Sequence, residues 1–202
     1  GFCMLWLAPD LVKLYENFPD LKIDLILEER VLDLPMREAD LAIRMKEPSQ
    51  SDLIRRRLLN IRMRLYATQE YLDHAGIPDS IEDLTSHRLI CQKPDQPQVA
   101  AGARLIQTVM AQNITSTLTV NNYFGVLQSV LANVGIGVLP DYLTADHDRL
   151  VRVLPDTESG EVPVFLAYPE ELRQTRRVAV FRDFVLQEIQ AYRRRQSEAL
   201  SA

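Results

Sequence analysis

The sequence predicts an α/β fold. Segments with the period of a strand and segments with the period of a helix follow one another along the chain. The strand-like segments Leu21–Leu27 and Asp40–Met45 are joined by about the dozen residues that a parallel crossover needs. Strand, helix, strand in succession argues for a sheet with helices packed on it.

Composition bounds the rest. The chain has 202 residues, 47% hydrophobic and 25% charged, with 7 Gly and 11 Pro. That length suits one large domain or two small lobes. A chain of this size buries roughly 70% of its unfolded surface and needs neither disulfides nor metals to fold. Lys+Arg 23 against Asp+Glu 28 gives a net charge of −5. That is the wrong sign for a chain whose whole surface binds nucleic acid, although a regulator can carry its nucleic-acid-binding part elsewhere. The 2 cysteines, Cys3 and Cys91, have no CxxC spacing and read as reduced, mostly buried thiols. No apolar run approaches the roughly 20 residues of a membrane span, and the N-terminus lacks the pattern of a signal peptide. A cytoplasmic location is expected. The apolar opening, from Gly1 to Pro9, reads as a fragment whose true start lies upstream, or with Gly1 as a tag remnant.

The elements follow in order. Leu7, Leu11, Leu14 and Phe18 space a helix, ended by Pro19, and Trp6, Val12 and Tyr15 add a second apolar face for another subunit. Leu21, Ile23, Leu25 and Leu27 alternate with Lys22 and Asp24 as a strand does. A short helix around Leu32–Glu38, the strand Asp40–Met45 and the strand-like Leu53–Leu58 and Met63–Ala67 come next. A helix over Thr68–His74 leads through Gly76 and Pro78 to a short helix that Ser80 can cap, then to the strand Arg88–Gln92 and a proline-containing loop to Gln98. Thr117–Val120 is a strand, and Asn121 is a good N-cap for a helix from Asn122 to about Val134. Its stripe is Phe124, Leu127, Leu131 and Val134, and Gly135 takes the C′ position. Ile136–Leu139, Leu150–Leu154 and Pro163–Tyr168 are strands, and a helix from Thr175 to Arg195 carries Val178, Phe181, Val185 and Ile189.

The joints between these elements carry a family pattern. Its blocks are Ala8–Leu11, Asn17–Leu21, Arg37–Arg44, Leu65–Thr68 with Tyr71, Leu72 and Gly76, Asp83-Leu84 with His87, Asn133–Pro140, and Arg177–Phe184. In this order and spacing they resemble the effector-binding (co-inducer) domain of LysR-type transcriptional regulators, over nearly the whole chain. The resemblance implies a periplasmic-binding-protein-like (type 2) architecture of two Rossmann-like lobes joined by two crossing strands. Lobe I would be residues 1–65 plus 165–202, and lobe II residues 66–164. A small-molecule effector, plausibly an organic anion, would bind between the lobes and shift their orientation. DNA would be contacted only through an N-terminal winged helix-turn-helix outside these residues. The family's first strand would fall just before Gly1. A homodimer or homotetramer is implied, with no membrane partner. The alternative with the same fold is a solute-binding protein of a transport system.

Six residues are candidates for effector contact. Arg44 closes a strand on the face opposite Leu41, Ile43 and Met45, where it could fork onto a carboxylate or pair internally. Asn121, Asn122 and the backbone at Tyr123 open a helix like the family's ligand-facing one; free amides and partial positive charge there suit an anion, and plain capping is compatible with that. Gln92, just past a strand, and Tyr168, at the second crossing, are polar cleft-lining candidates or ordinary loop and hinge residues.

Other chemistry is disfavoured. Gly135-Ile-Gly137 follows a helix and enters a strand, the reverse of a dinucleotide loop, and lacks a third glycine. His74, His87 and His147 have no metal-site spacing, and Asp146-His147-Asp148 reads as a solvated loop. No serine sits in a GxSxG elbow. No cofactor, no metal and no enzyme are expected. The basic runs Arg55–Arg57 and Arg193–Arg195 read as solvated surface.

Overall fold

The computed structural model describes residues 7–27, 38–45, 47, 51–92 and 116–199. In chain order the elements are α1 (Leu11–Asn17), β1 (Ala42–Arg44), β2 (Leu53–Ile61), β3 (Met63–Thr68), α2 (Gln69–Ala75), β4 (Leu89–Gln92) and β5 (Leu118–Val120). They continue with α3 (Tyr123–Leu131), β6 (Ile136–Pro140), β7 (Leu150–Glu158), β8 (Val162–Pro169) and α4 (Arg176–Ala199). The chain forms two compact units, Gly1–Asn60 with Pro163–Ala202 and Ile61–Val162, so it passes from one to the other twice.

In the first unit a 3-10 turn at Ala8–Asp10, with Pro9 inside it, leads into α1. The predicted helix is therefore a short one: Phe18 donates its N–H to the Leu14 carbonyl at 2.9 Å and Pro19 cannot continue the ladder. Leu7 and Leu14 are buried, whereas Val12 is 65% and Tyr15 38% exposed, the second apolar face the sequence suggests. Cys3, Leu5 and Trp6 lie outside the described residues, as do residues 32–37 of the expected helical stretch Leu32–Glu38.

Leu21–Leu27 departs from expectation. Leu21, Ile23 and Leu25 are half-buried and Lys22 and Asp24 exposed, as in a strand, yet no ladder forms. Alternation fixes which side chains face inward; a strand also needs a hydrogen-bonding neighbour, and none pairs here among the described residues.

The sheet of this unit has the order β1-β8-β2. Ala42 opposes Ala167, Ile43 opposes Leu166 and Arg44 opposes Phe165 in an antiparallel pairing. Central β8 is buried from Val164 to Pro169, which is why it reads as a continuous apolar run. α4 buries Val178, Phe184, Val185 and Ile189, with Phe181 half-buried. Glu188 lies on the same face, 3.6 Å from Lys13 Nζ of α1.

The second unit carries a five-stranded sheet in the order β5-β4-β6-β3-β7. β4 runs parallel to β5 and β6, and β3 runs antiparallel to β6 and β7. Leu65, Ile90, Ile136 and Leu139 are fully buried in it. Thr68 caps α2 by accepting from the Tyr71 amide. Ser80 accepts from the Asp83 amide, and the Asp83 carboxylate accepts from the Ser80 amide at 2.9 Å, a reciprocal cap that starts the short helix Glu82–Ser86. β7 loops out opposite Arg64 and Leu65, whose partners are Glu158 and Val153. Leu154 adopts φ 48° there.

Three details around α3 correct the sequence. Its N-cap is Asn122, whose Oδ1 accepts from the Gly125 amide at 2.7 Å, not Asn121. Its buried face is Tyr123, Val126, Leu127 and Val130, so of the predicted stripe only Leu127 is fully buried. Phe124 and Leu131 are apolar too, and a helix apolar on two sides leaves periodicity unable to choose between them. At the far end Asn133 takes the left-handed conformation (φ 62°) in place of Gly135. Gly135 is instead a site of close approach, since a Cβ there would run into the Arg88 carbonyl, which accepts from the Ile136 amide.

Candidate functional site

Four of the six candidates meet in the second unit, at one edge of its sheet. β4 and β5 are parallel, with Gln92 opposite Val120, so both strands end together. Open α/β sheets place ligands at this edge, outside the carboxyl ends of parallel strands. The chain turns at Asn121-Asn122 straight from β5 into α3. Gly125 lets the first turn of α3 lie against β5, because a Cβ there would overlap the Val120 side chain.

Gln92 is the unusual member. It is 0% exposed, and its Nε2 donates to the Asn121 carbonyl at 3.2 Å. That bond fixes the amide's orientation, because only the nitrogen can donate to a carbonyl. Oε1 is then left buried, with no hydrogen-bond partner among the described residues. Such an orphaned acceptor costs about 1–3 kcal/mol and is retained where something else satisfies it. Beside it, Asn122 Nδ2 donates to Asn121 Oδ1 at 3.1 Å, and Asn122 Oδ1 is occupied by Gly125. The amides preceding Gly125 belong to the first turn of the helix, whose donors have no intrahelical acceptor. The site thus combines a buried acceptor with a helix N-terminus biased towards negative charge. Tyr123 is buried and contributes its ring to the core of the unit.

Cys91, next to Gln92, is a buried free thiol, and burial pushes its pKa up, so it rests as the unreactive neutral thiol. Among the described residues no group of His, Cys, Asp and Glu could hold a metal ion.

The other two candidates lie in the first unit and do not come together. Arg44, at the end of β1, is only 5% exposed, more buried than its apolar neighbour Ile43, and engaged in interactions. β8 runs antiparallel to β1, so Tyr168 lies past Ala167, at the other end of that pairing. Tyr168 is 3% exposed and lines a cavity of about 480 Å³ with Arg56, Glu170, Arg173 and Arg182. The sequence reading missed this cavity. The one signal available was the run Arg55–Arg57 on a strand, which sends alternate side chains to opposite faces.

A two-unit α/β domain with a polar site at the end of its parallel strands defines a class of ligand-binding domains. Comparison with known proteins narrows the class: residues 1–190 match the LysR substrate binding domain, and the chain belongs to that family. It is 30% identical over 189 residues to the HTH-type transcriptional regulator CrgA of Neisseria meningitidis, covering 91% of this chain and 62% of that protein. An HTH-type transcriptional regulator of Haemophilus influenzae is 28% identical over 172 residues, covering 83% of this chain and 59% of that one. The chain thus spans about 60% of the length of these relatives. The regulatory domain of CrgA superposes with a TM-score of 0.78 at 25% identity, covering 93% of this chain and 94% of that one. The fold is accordingly the periplasmic-binding-protein-like type 2 fold of LysR-type regulatory domains, as the family resemblance implies. The relatives are transcriptional regulators, which favours a sensing domain over a transport protein. No helix among the described residues is long and apolar enough to cross a membrane.

Proposed function

We propose that this chain is the effector-sensing part of a LysR-type bacterial transcriptional regulator, and that its effector is a small organic anion carrying a hydrogen-bond donor. The two compact units correspond to the family's two lobes. The observation that carries the reading is the buried Oε1 of Gln92, unpartnered among the described residues, beside the N-terminus of α3. A hydroxyl, amide or ammonium of the effector donates to Gln92, and its carboxylate lies towards the amides of α3 near Asn121 and Asn122. Arg44 is a second anion-binding candidate, from the first unit. Tyr168 is assigned to the separate cavity of that unit rather than to effector contact.

The longer protein regulates DNA through a helix-turn-helix part, works as a homodimer or homotetramer in the cytoplasm, and senses rather than catalyses. The relatives' names support the first of these, and the exposed Val12 and Tyr15 face of α1 supports the second. Regulation requires the effector to favour one conformation of the domain, typically by about 1–3 kcal/mol.

Titration calorimetry with a panel of small hydroxy- and aminocarboxylates tests the reading on wild type, Gln92→Leu and Arg44→Ala. At least one member is expected to bind wild type and to bind Gln92→Leu at least about tenfold more weakly, the equivalent of one lost hydrogen bond to a buried acceptor. A panel in which every member that binds wild type binds Gln92→Leu equally well would overturn it. Equal affinity for Arg44→Ala removes Arg44 alone from the site.

A further inference from the structure

We propose that the first unit carries a second small-molecule site, for a small organic acid, in the cavity that Tyr168 lines. The cavity measures about 480 Å³, within the range of pockets that hold small ligands. It lies entirely within this unit, between β2, the end of β8, the turn that follows it and the beginning of α4. It shares no residue with the Gln92 site.

The charges lining it are unevenly satisfied. Arg182 is committed: its Nε bonds Asp183 Oδ1 at 2.7 Å, and its guanidinium also donates to the Arg173 carbonyl at 3.3 Å. That second bond ties the turn after β8 to α4. In the basic run on β2, Arg55 pairs with Glu47 at 3.5 Å, and Arg57 forks onto Asn60 Oδ1 at 3.0 and 2.6 Å. Arg56, between them, faces the cavity instead. Among the described residues neither Arg56 nor Arg173 has a carboxylate partner. Two guanidiniums lining one concavity without a counterion are a ready fork for a carboxylate.

The remaining lining sets the shape of the ligand. Ile54, two residues before Arg56 and hence on the same face of β2, supplies an apolar wall, and the buried Tyr168 ring another. Glu170 also lines the cavity, and among the described residues it has no cationic partner. A ligand with a carboxylate for the arginines and an amino or hydroxyl group for Glu170 satisfies both signs of charge; a polyanion would meet repulsion from Glu170. α-Amino and α-hydroxy acids with a modest apolar side chain have that chemistry.

Calorimetry with L-amino acids, α-hydroxy acids and the amines lacking the carboxylate separates this site from the one at Gln92. The expected result is a binding event that needs the carboxylate and weakens at least about tenfold in Arg56→Ala and in Arg173→Ala. Arg56→Lys, which keeps the charge but not the fork, should fall between wild type and Arg56→Ala. Gln92→Leu should leave this event unchanged. Both arginines are exposed, so the variants should melt as wild type does, and the melting temperature checks that the loss is local. No carboxylate-dependent binding to wild type, or such binding with the wild-type affinity retained in both Arg56→Ala and Arg173→Ala, overturns the proposal. Binding lost only in Gln92→Leu refutes this site and leaves the effector site of the second unit standing.

Discussion

The two units handle buried polar groups in opposite ways. In the second, the fully buried side chain with an orphaned atom is a neutral amide, Gln92 at the end of β4, half-satisfied by the Asn121 carbonyl; Arg152, whose Nε also lacks a hydrogen bond among the described residues, is partly exposed and paired with Glu158. In the first, the buried polar groups are ionisable: Arg44 in β1 and Glu188 in α4. A neutral orphan costs about 1–3 kcal/mol and is insensitive to pH. A buried charge costs more and must find a partner or shift its pKa. Glu188 does both, close to Lys13, with burial and the nearby Asp10 raising its pKa. The second unit therefore offers a site defined by geometry, and the first unit contacts that respond to charge.

The largest effect that can break this comparison lies in the cores. Leu65 stands in β3, hydrogen-bonded on both sides by β6 and β7, and is fully buried. Leu65→Ala is expected to lower the unfolding free energy by about 2–5 kcal/mol in urea denaturation. Leu14→Ala, on the short surface helix α1 of the first unit, belongs at the low end of that range because a two-turn helix can settle into the space. Equal losses would mean that the two cores are equally unyielding.

A smaller effect sharpens the account of the second unit. Asn122→Ala removes the cap on Gly125 and should cost about 1 kcal/mol. Asn121→Ala, which removes only an exposed acceptor, should cost no more than about 0.5 kcal/mol. Thermal melts of the pair decide which asparagine caps α3.

The smallest is a slope rather than an offset, and it belongs to the first unit. A carboxyl whose folded pKa is raised binds more protons folded than unfolded, so its contribution to stability falls as pH rises above the ordinary value of 4.5. Glu188→Gln should therefore gain stability relative to wild type between pH 4.5 and pH 8, read as melting temperature at both pH values. A constant difference would mean that Lys13 compensates the Glu188 charge fully.

The same contrast explains what could be read from the sequence. Second-unit strands such as Leu89–Gln92 and Ile136–Pro140 are buried throughout, so short apolar runs announce them. The errors there are of one or two residues: Asn121 and Asn122 cap equally well by type, Asn133 rather than Gly135 takes the left-handed position, and the two apolar faces of α3 compete. Gln92 was legible as a polar residue at a strand end; the orphaned acceptor was not, because it depends on a backbone carbonyl 29 residues away. In the first unit, alternation at Leu21–Leu27 marked inward and outward faces correctly but could not supply a pairing partner. The cavity was hidden for a similar reason. Arg56 and Arg173 are far apart in sequence, and each alone reads as a solvated charge.

The central claim is that the effector is held at the strand-end edge of the second unit. Amide hydrogen exchange, with and without a saturating small carboxylate that binds wild type but not Gln92→Leu, tests it most directly. The account predicts slowed exchange over residues 89–92 and 120–126, where β4 ends and α3 begins. Unchanged exchange there, with slowing confined to residues 163–190 of the first unit, would contradict it.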